Sequence, residues 1–517
     1  MFACLHIFKN LNMKPDLVIG LDSSTTATKA IAWDRRGRAV AEGRAVLAIG
    51  NPKPGWYEQE ATDWTGAAAK ALKQLTKKIS ADRIAAIAIS SQRESFAQFD
   101  RNGKALRPGT LWLDERATSI LPDMEIKLGA EAIHRISGKP LDVITCLMRC
   151  AWFQKNMPAM WKRVYKTAEV HGVVAHFLTG QWNSSTGSAD PMGMLDMSEM
   201  QWSEKLLSTV GLTEDQLPKL SRPGEIIGEV TSAAAKMTGL KAGTLVVAGG
   251  GDGQCAGTGT NVFVKGRAYV NLGTAVVSGN YGKNYAYNPA FRTMSAIAEE
   301  GYIYETCLRS GTFLLNWAVE NLFRVDAAKT PKIFDELEEA AEQSPIGAKG
   351  LMLVPYWSGV MTPYWDTAAR GIIAGLGPSH NRGDIYRAII EGLTLEQVIA
   401  TQKVEAATDK IEHYVAIGGG AKSNLWCQIL ADSSGRDVKR LETVEASSLG
   451  AACAAAKAAG WYKSIPSAAA AMTGKPSKTF RPRTKPNKRY GQIIEVYRDL
   501  WPTVSQWNKK LQALQTT

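Results

Sequence analysis

Leu17-Val18-Ile19-Gly20-Leu21-Asp22, then Ser23-Ser24-Thr25-Thr26, then Thr28-Lys29-Ala30-Ile31-Ala32-Trp33-Asp34 reads as an apolar strand, a polar turn of hydroxyl residues and a second apolar strand, followed by an Arg36-Gly37 turn. Asp22 thus falls at a strand end beside a polar hairpin. Outward from this stretch, Trp64 to Lys78 has the spacing of an amphipathic helix, and Ile84-Ala85-Ala86-Ile87-Ala88-Ile89-Ser90 reads as a buried strand leading into Ser91-Gln92-Arg93-Glu94. Strands alternating with helices predict an α/β fold.

The same grammar returns further along. Thr244-Leu245-Val246-Val247-Ala248 runs into Gly249-Gly250-Gly251-Asp252-Gly253-Gln254, again a strand ending in glycines and a carboxylate. Ala268 to Gly279 repeats the layout of the Asp22 hairpin, with Gly273 and Thr274 in its turn, which hints at an internal duplication. His413 to Ile417 leads to Gly418-Gly419-Gly420-Ala421-Lys422-Ser423-Asn424 and a helix over 425–434. Glu445 to Ala459 opens a small-residue helix suited to close packing.

The 517 residues, 45% hydrophobic and 21% charged, exceed what one core usually fills, so two large domains are expected. These are drawn as 15–261 and 262–517, after a leader over 1–14 that ends near Met13. No apolar run reaches the roughly 20 residues of a membrane span, and no signal-peptide cleavage site follows the opening residues. Seven dispersed cysteines without a CxxC pair suit a reducing cytoplasm; Cys146 and Cys150 share a helix face as core packing. The net charge of +12 is concentrated over 475–489, read as a solvated tail with no nucleic-acid partner. His171 and His176 are expected to pack or cap a helix.

Phosphoryl transfer needs a held polyphosphate, a metal and a carboxylate to accept the attacking hydroxyl's proton. Ser23 to Thr26 offer hydroxyls and amides, Lys29 a cation, and Asp22 a ligand for Mg²⁺. Gly273 and Thr274 offer a second phosphate-facing turn. Asp252, after three glycines that let ligand and backbone approach closely, is the candidate base. No Walker A sequence is present.

Gly20 to Thr26, Trp56-Tyr57-Glu58-Gln59-Glu60, Trp112-Leu113-Asp114-Glu115-Arg116-Ala117, Gly249 to Asp252, Leu272-Gly273-Thr274, Pro355 to Gly359 with Thr362-Pro363, Gly418 to Ser423, and Leu449-Gly450-Ala451-Ala452 follow in order. From Leu17 to about Trp461 the chain resembles the FGGY family of carbohydrate kinases. The resemblance implies two ribonuclease-H-like, actin-like ATPase domains that close on ATP·Mg²⁺ and a sugar. It implies Asp252 as base, Asp22 near the metal, Ser24, Thr25, Thr26 and Lys29 on phosphate, and Gly419, Gly420 and Asn424 along adenine and ribose. The family's usual glycine before the first threonine is Ser24, and its frequent arginine at the hairpin's end is Lys29.

Gln92-Arg93-Glu94-Ser95 resembles the polyol-binding stretch of glycerol kinase, while Ile144 stands where that enzyme has a tyrosine, and the Gly-Gly-Gly-Asp form resembles xylulokinase and autoinducer-2 kinases. Gln92, Arg93, Glu94 and Asp114 are assigned to the substrate, and Trp112 either to a sugar face or to the core. D-xylulose leads, with glycerol, erythritol, gluconate or the autoinducer-2 precursor as alternatives. A homodimer is left open. Two rivals are a dinucleotide oxidoreductase, from Gly418-x-Gly420-x-x-Ser423 with Glu442, and a non-enzymatic actin-like ATP-binding regulator.

Overall fold

The computed structural model describes residues 15–442 and 445–514, so the expected leader over 1–14 lies outside the described residues. The first large sheet is built from β1 (Leu17–Ser23), β2 (Ala27–Trp33), β3 (Ala39–Val46), β4 (Ile84–Ser91), β5 (Ile226–Glu229) and β6 (Leu245–Gly251), in the order β5-β6-β4-β1-β2-β3. Three strands form an antiparallel meander, β1 to β3, and β4 and β6 continue it in parallel from β1. β5 closes the edge antiparallel.

The second sheet repeats that plan with β7 (Arg267–Leu272), β8 (Val276–Gly282), β9 (Arg292–Ser295), β10 (Tyr302–Leu308), β11 (His413–Ile417), β12 (Asp437–Leu441) and β13 (Pro476–Phe480), in the order β9-β10-β8-β7-β11-β12-β13. Its meander is β7, β8 and β10; β11 and β12 extend it in parallel, and β13 closes the edge antiparallel. The duplication hinted at by one hairpin therefore extends to whole sheets, with β9 as an addition. This is the two-domain actin-like ATPase architecture, a mixed α/β fold.

Seven helices position the site: α1 (Ala61–Thr76), α2 (Val170–Thr179), α3 (Asp252–Gly259), α4 (Arg382–Ala407), α5 (Asn424–Ser434), α6 (Ala446–Ala458) and α7 (Thr484–Arg498). On α1, Trp64, Ala68, Ala71, Leu72 and Leu75 fall on one face and pack with α2 against the first sheet. The sheet's other face is covered by α6, which comes from the second half of the chain.

The small residues of α6 follow from how closely it approaches. A Cβ on Gly20 would lie 1.9 Å from the Ser448 carbonyl oxygen, and one on Gly450 would lie 1.8 Å from that of Cys255 in α3. Ser448 also donates to Gly20 O at 2.9 Å and accepts from the Trp33 indole at 3.0 Å. Ala451, Ala452, Ala454, Ala455 and Ala456 are fully buried, and their five methyls contribute roughly 4 kcal/mol by transfer free energy.

The basic segment corrects an expectation. Residues 475–489 are largely exposed, as expected, but they are not a tail: they supply β13 and the start of α7. Phe480 is buried, Arg483 pairs with buried Asp432 at 2.6 Å, and Tyr490, Ile493, Ile494 and Tyr497 bury the inner face of α7. Their 3-4-7 spacing begins where the basic run ends, so a reading by composition stopped one turn short of it.

A smaller sheet of Gly50–Lys53, Trp56–Gln59, Gly109–Thr110, Phe96–Phe99 and Lys166–Glu169 lies within the first half and carries the loops over 92–95 and 111–116. Behind it, Cys146 and Cys150 are buried core residues. His171 is buried on α2, and His176 stacks on Trp182 with ring centroids 4.0 Å apart.

Candidate active site

The first hairpin turn is closed by Ser24, whose amide and hydroxyl both donate to Ala27 O, at 3.0 and 2.8 Å. Thr26 is exposed at the tip, and Thr25 Oγ1 accepts from the Trp112 indole at 3.0 Å. In the second hairpin Gly273 and the exposed Thr274 occupy the matching turn, with Gly273 N donating to Ala275 O. Because β11 lies parallel to β7, with Asn271 opposite Ile417, the glycine turn over 418–420 adjoins this second hairpin. Gly418 has φ +85°, a conformation that glycine adopts without strain, and Gly419 is exposed with open space where a Cβ would stand. Asn424 begins α5, and its side-chain oxygen accepts from Arg440 and Lys478.

Asp252 is the first residue of α3, and its side chain is 38% exposed. Oδ1 accepts from Gly253 N at 2.8 Å and meets Arg93 Nε at 3.1 Å; among the described residues no hydrogen bond is made to Oδ2. Burial raises the carboxyl, and the Arg93 guanidinium beside it opposes the rise. The last of the preceding glycines makes room for protein: a Cβ on Gly251 would lie 2.6 Å from the Arg93 side chain.

Arg93 belongs to a buried ionic network that joins the two halves. It contacts Glu305 at 2.8 Å; Arg292 contacts Glu305 at 2.7 Å and Glu94 at 2.7 Å; and Tyr269 donates to Glu305 at 3.0 Å. Burial alone would raise Glu305, but Arg93 and Arg292 bring it down to about 2. A half-satisfied version of such a network would be costly, and here each charge faces an opposite one.

Asp22, opposite Lys29 across the β1–β2 ladder, accepts from Ser90 at 2.7 Å. Burial raises its carboxyl to about 7, and the charge of Asp252 adds to the rise. Lys29 was expected to meet phosphate. Its ammonium contacts Glu445, ahead of α6, at 2.6 Å.

The substrate-side expectations divide in the same way. Arg93 lies beside Asp252, and Trp112 beside Thr25. Gln92 is buried and bonded to Gln59 and Ser95. Glu94, 3% exposed, faces Arg292. Both carboxylate oxygens of Asp114 are engaged, one by Arg116 alone and one by Arg116 and Tyr57 N, which makes it an anchor of its loop. Ile144 packs with Cys307 and Met361, against Trp112.

Arg292, Glu305, Gln59 and Glu445 were given no site role from the sequence. Glu305 carried a signal: it is the one charge inside the apolar run Tyr302-Ile303-Tyr304-Glu305-Thr306-Cys307-Leu308. No group of three or more His, Cys, Asp and Glu among the described residues is assembled to hold a metal. No helix among them is long and apolar enough to cross a membrane.

Two sheets of one plan, each turning a polar or glycine hairpin beside a strand-end carboxylate or glycine turn, define an actin-like phosphotransferase fold. The chain belongs to the FGGY family of carbohydrate kinases: the family's N-terminal domain matches residues 17–259 and its C-terminal domain residues 254–459. It is similar to a xylulose kinase of Staphylococcus epidermidis (29% identical over 498 residues, 96% of this chain and 98% of that one). It is also similar to an autoinducer-2 kinase of Klebsiella pneumoniae (28% over 516 residues, 94% and 93%). Among solved structures, a gluconate kinase from Lactobacillus acidophilus superposes with TM-score 0.90 at 25% identity, covering 96% of this chain and 99% of that one. The ligand-bound xylulose kinase from the same organism gives the same values.

The chain is therefore an enzyme, a carbohydrate kinase that transfers a phosphoryl group from ATP to a sugar hydroxyl. This overturns both rivals. The glycine turn over 418–420 opens no dinucleotide fold: it follows β11 in a mixed sheet whose β7 pairs parallel with β11 and antiparallel with β8.

Proposed function

We propose that the sugar is a pentulose, D-xylulose, and that Asp252 is the base. The carrying observation is the half-exposed Asp252 carboxylate, with one oxygen fixed by Arg93 and Gly253 and the other without a described partner. Asp252 takes the proton of the attacking hydroxyl while that oxygen bonds to the γ-phosphorus and the bond to the leaving ADP breaks. The hairpin turns with Ser24, Thr25 and Thr26, and with Gly273 and Thr274, hold the phosphates, and Gly419, Gly420 and Asn424 border the adenosine. Closure of the two halves excludes water from the transfer.

Asp22, at a strand end and close enough to Asp252 for that charge to raise its proton affinity, fits a divalent cation, and a phosphate-bound Mg²⁺ needs few protein ligands. Asp22 would hold it, and the ion would supply charge neutralisation on the phosphates.

Pentulose is favoured over polyol on two grounds. Several full-length relatives carry the name xylulose kinase, and the Glu94 carboxylate that resembles a polyol ligand is occupied by Arg292. A cytoplasmic site of action suits such a substrate. The test is ADP release with D-xylulose by wild type and Asp252→Asn: the variant is expected to lose most turnover while still binding nucleotide, and undiminished turnover would remove Asp252 as base.

A further inference from the structure

A closed ring of hydrogen bonds joins the phosphate hairpin to the substrate loops. Trp112 Nε1 donates to Thr25 Oγ1 at 3.0 Å. Trp112 N donates to Ser95 Oγ at 3.1 Å, Ser95 to Gln92 Oε1 at 2.9 Å, and Gln92 Nε2 to Gln59 Oε1 at 3.3 Å. Gln59 Nε2 then donates to Thr25 O at 2.7 Å, which completes the circuit. Arg149, fully buried, braces the ring from behind by donating to the carbonyls of Glu94, Leu111 and Ile144.

The donor directions matter. An indole N–H can only donate, so Thr25 Oγ1 must accept from Trp112, and its own O–H is left to donate elsewhere. On a hairpin turn at the phosphate side of the cleft, the acceptor within its reach is an anionic oxygen of the nucleotide. Bonds in such a chain polarise one another, so engagement of Thr25 by phosphate strengthens the bond that orients Trp112. Trp112 also packs against a cluster of Ile144 from the first half with Cys307 and Met361 from the second. Its ring therefore registers the relative position of the halves.

We infer that Trp112 is a positioning residue that couples the two substrates: through Thr25 it makes sugar binding and phosphate binding reinforce each other. This rests on the sugar-kinase reading of the cleft. It explains why a tryptophan beside the sugar has its N–H engaged by the nucleotide hairpin, and why Gln92, expected at the substrate, lies buried within the ring.

The experiment uses the full chain and measures D-xylulose affinity with and without a saturating, non-hydrolysable ATP analogue and Mg²⁺. Linkage makes the ratio of the two affinities the same whichever ligand is varied. Wild type is expected to show a ratio of about fivefold or more. Trp112→Phe keeps an aromatic ring and loses the N–H, and should bring the ratio close to one. Thr25→Val should do the same, Thr25→Ser should retain the ratio, and the double variant should go no further than either single one. Should Trp112→Phe fail to fold, Thr25→Val reads the same coupling. A wild-type ratio persisting in Trp112→Phe or Thr25→Val, or a ratio of one in wild type, would overturn the coupling and leave the sugar-kinase reading intact. Nucleotide binding by wild type with no sugar bound from a panel of ketoses, aldonates and polyols would remove that reading and the coupling together.

Discussion

Asp252 and Arg93 are 3.1 Å apart, and on the proposed role of Asp252 as base that contact bears on the pH at which it works. A base is active when deprotonated, so activity is lost as pH falls through its pKa. Burial and the charge of Glu305 raise Asp252, while Arg93 and Arg292 lower it; Asp22 also faces it. Replacing Arg93 by Ala leaves the raising influences, so the acid limb of kcat/KM should move to higher pH. An unmoved limb in the pH–rate profile would separate Arg93 from the base. Asp252→Asn itself should lower kcat by about 10²- to 10⁴-fold.

The strand ends and hairpin turns that carry Asp22 and Asp252 were legible in the sequence because they are local: a strand end, a turn and a carboxylate lie within a few residues. The partners that tune them were not. Arg93 meets Glu305 across 212 positions and Arg292 meets Glu94 across 198, so only the folded sheets bring these charges together. The partner of Glu94 was hidden for the same reason, since Arg292 arrives from 198 positions away, whereas Arg116 stands only two residues from Asp114 and its bidentate grip is a matter of local loop geometry.

At the level of elements, α6 is held where only glycine fits. Gly450→Ala would place a methyl 1.8 Å from the Cys255 carbonyl oxygen. Overpacking against backbone should cost about 1–3 kcal/mol or more, read as a lower denaturant midpoint. The alanine pattern of α6 was legible as close packing, but its seat on the first sheet was not, because a helix from the second half crosses over to cover it.

On α4, Glu396 is buried, accepts from the Tyr497 hydroxyl at 3.0 Å, and is raised by burial to about 7. The native state therefore holds a proton that the unfolded chain has released above its ordinary value of 4.5. This contribution to stability is complete below that value and is lost as pH rises through about 7. Glu396→Gln should remove it, so denaturation midpoints of the variant should gain on wild type between pH 5 and 8, by an amount on the order of 1–3 kcal/mol. Parallel pH dependences would place the proton elsewhere.

For the whole molecule, the repeated sheet plan was visible in outline, because two strand-turn-strand stretches with polar turns stand near the start and the midpoint of the chain. The basic edge was not, since charge composition over 475–489 masked a strand and a helix whose apolar faces complete the second sheet. Both halves are fastened by α3 and α6 and by the Arg93–Glu305–Arg292–Glu94 network, so the cleft between them is braced on its floor.

The most direct test is ADP release with ATP·Mg²⁺ against D-xylulose, gluconate, glycerol, erythritol and the autoinducer-2 precursor. The account predicts that D-xylulose stimulates release above every other compound and that Asp252→Asn abolishes the stimulation. Strongest stimulation by a polyol or an aldonate would contradict the pentulose assignment, and no stimulation by any sugar would contradict the proposed cleft chemistry as a whole.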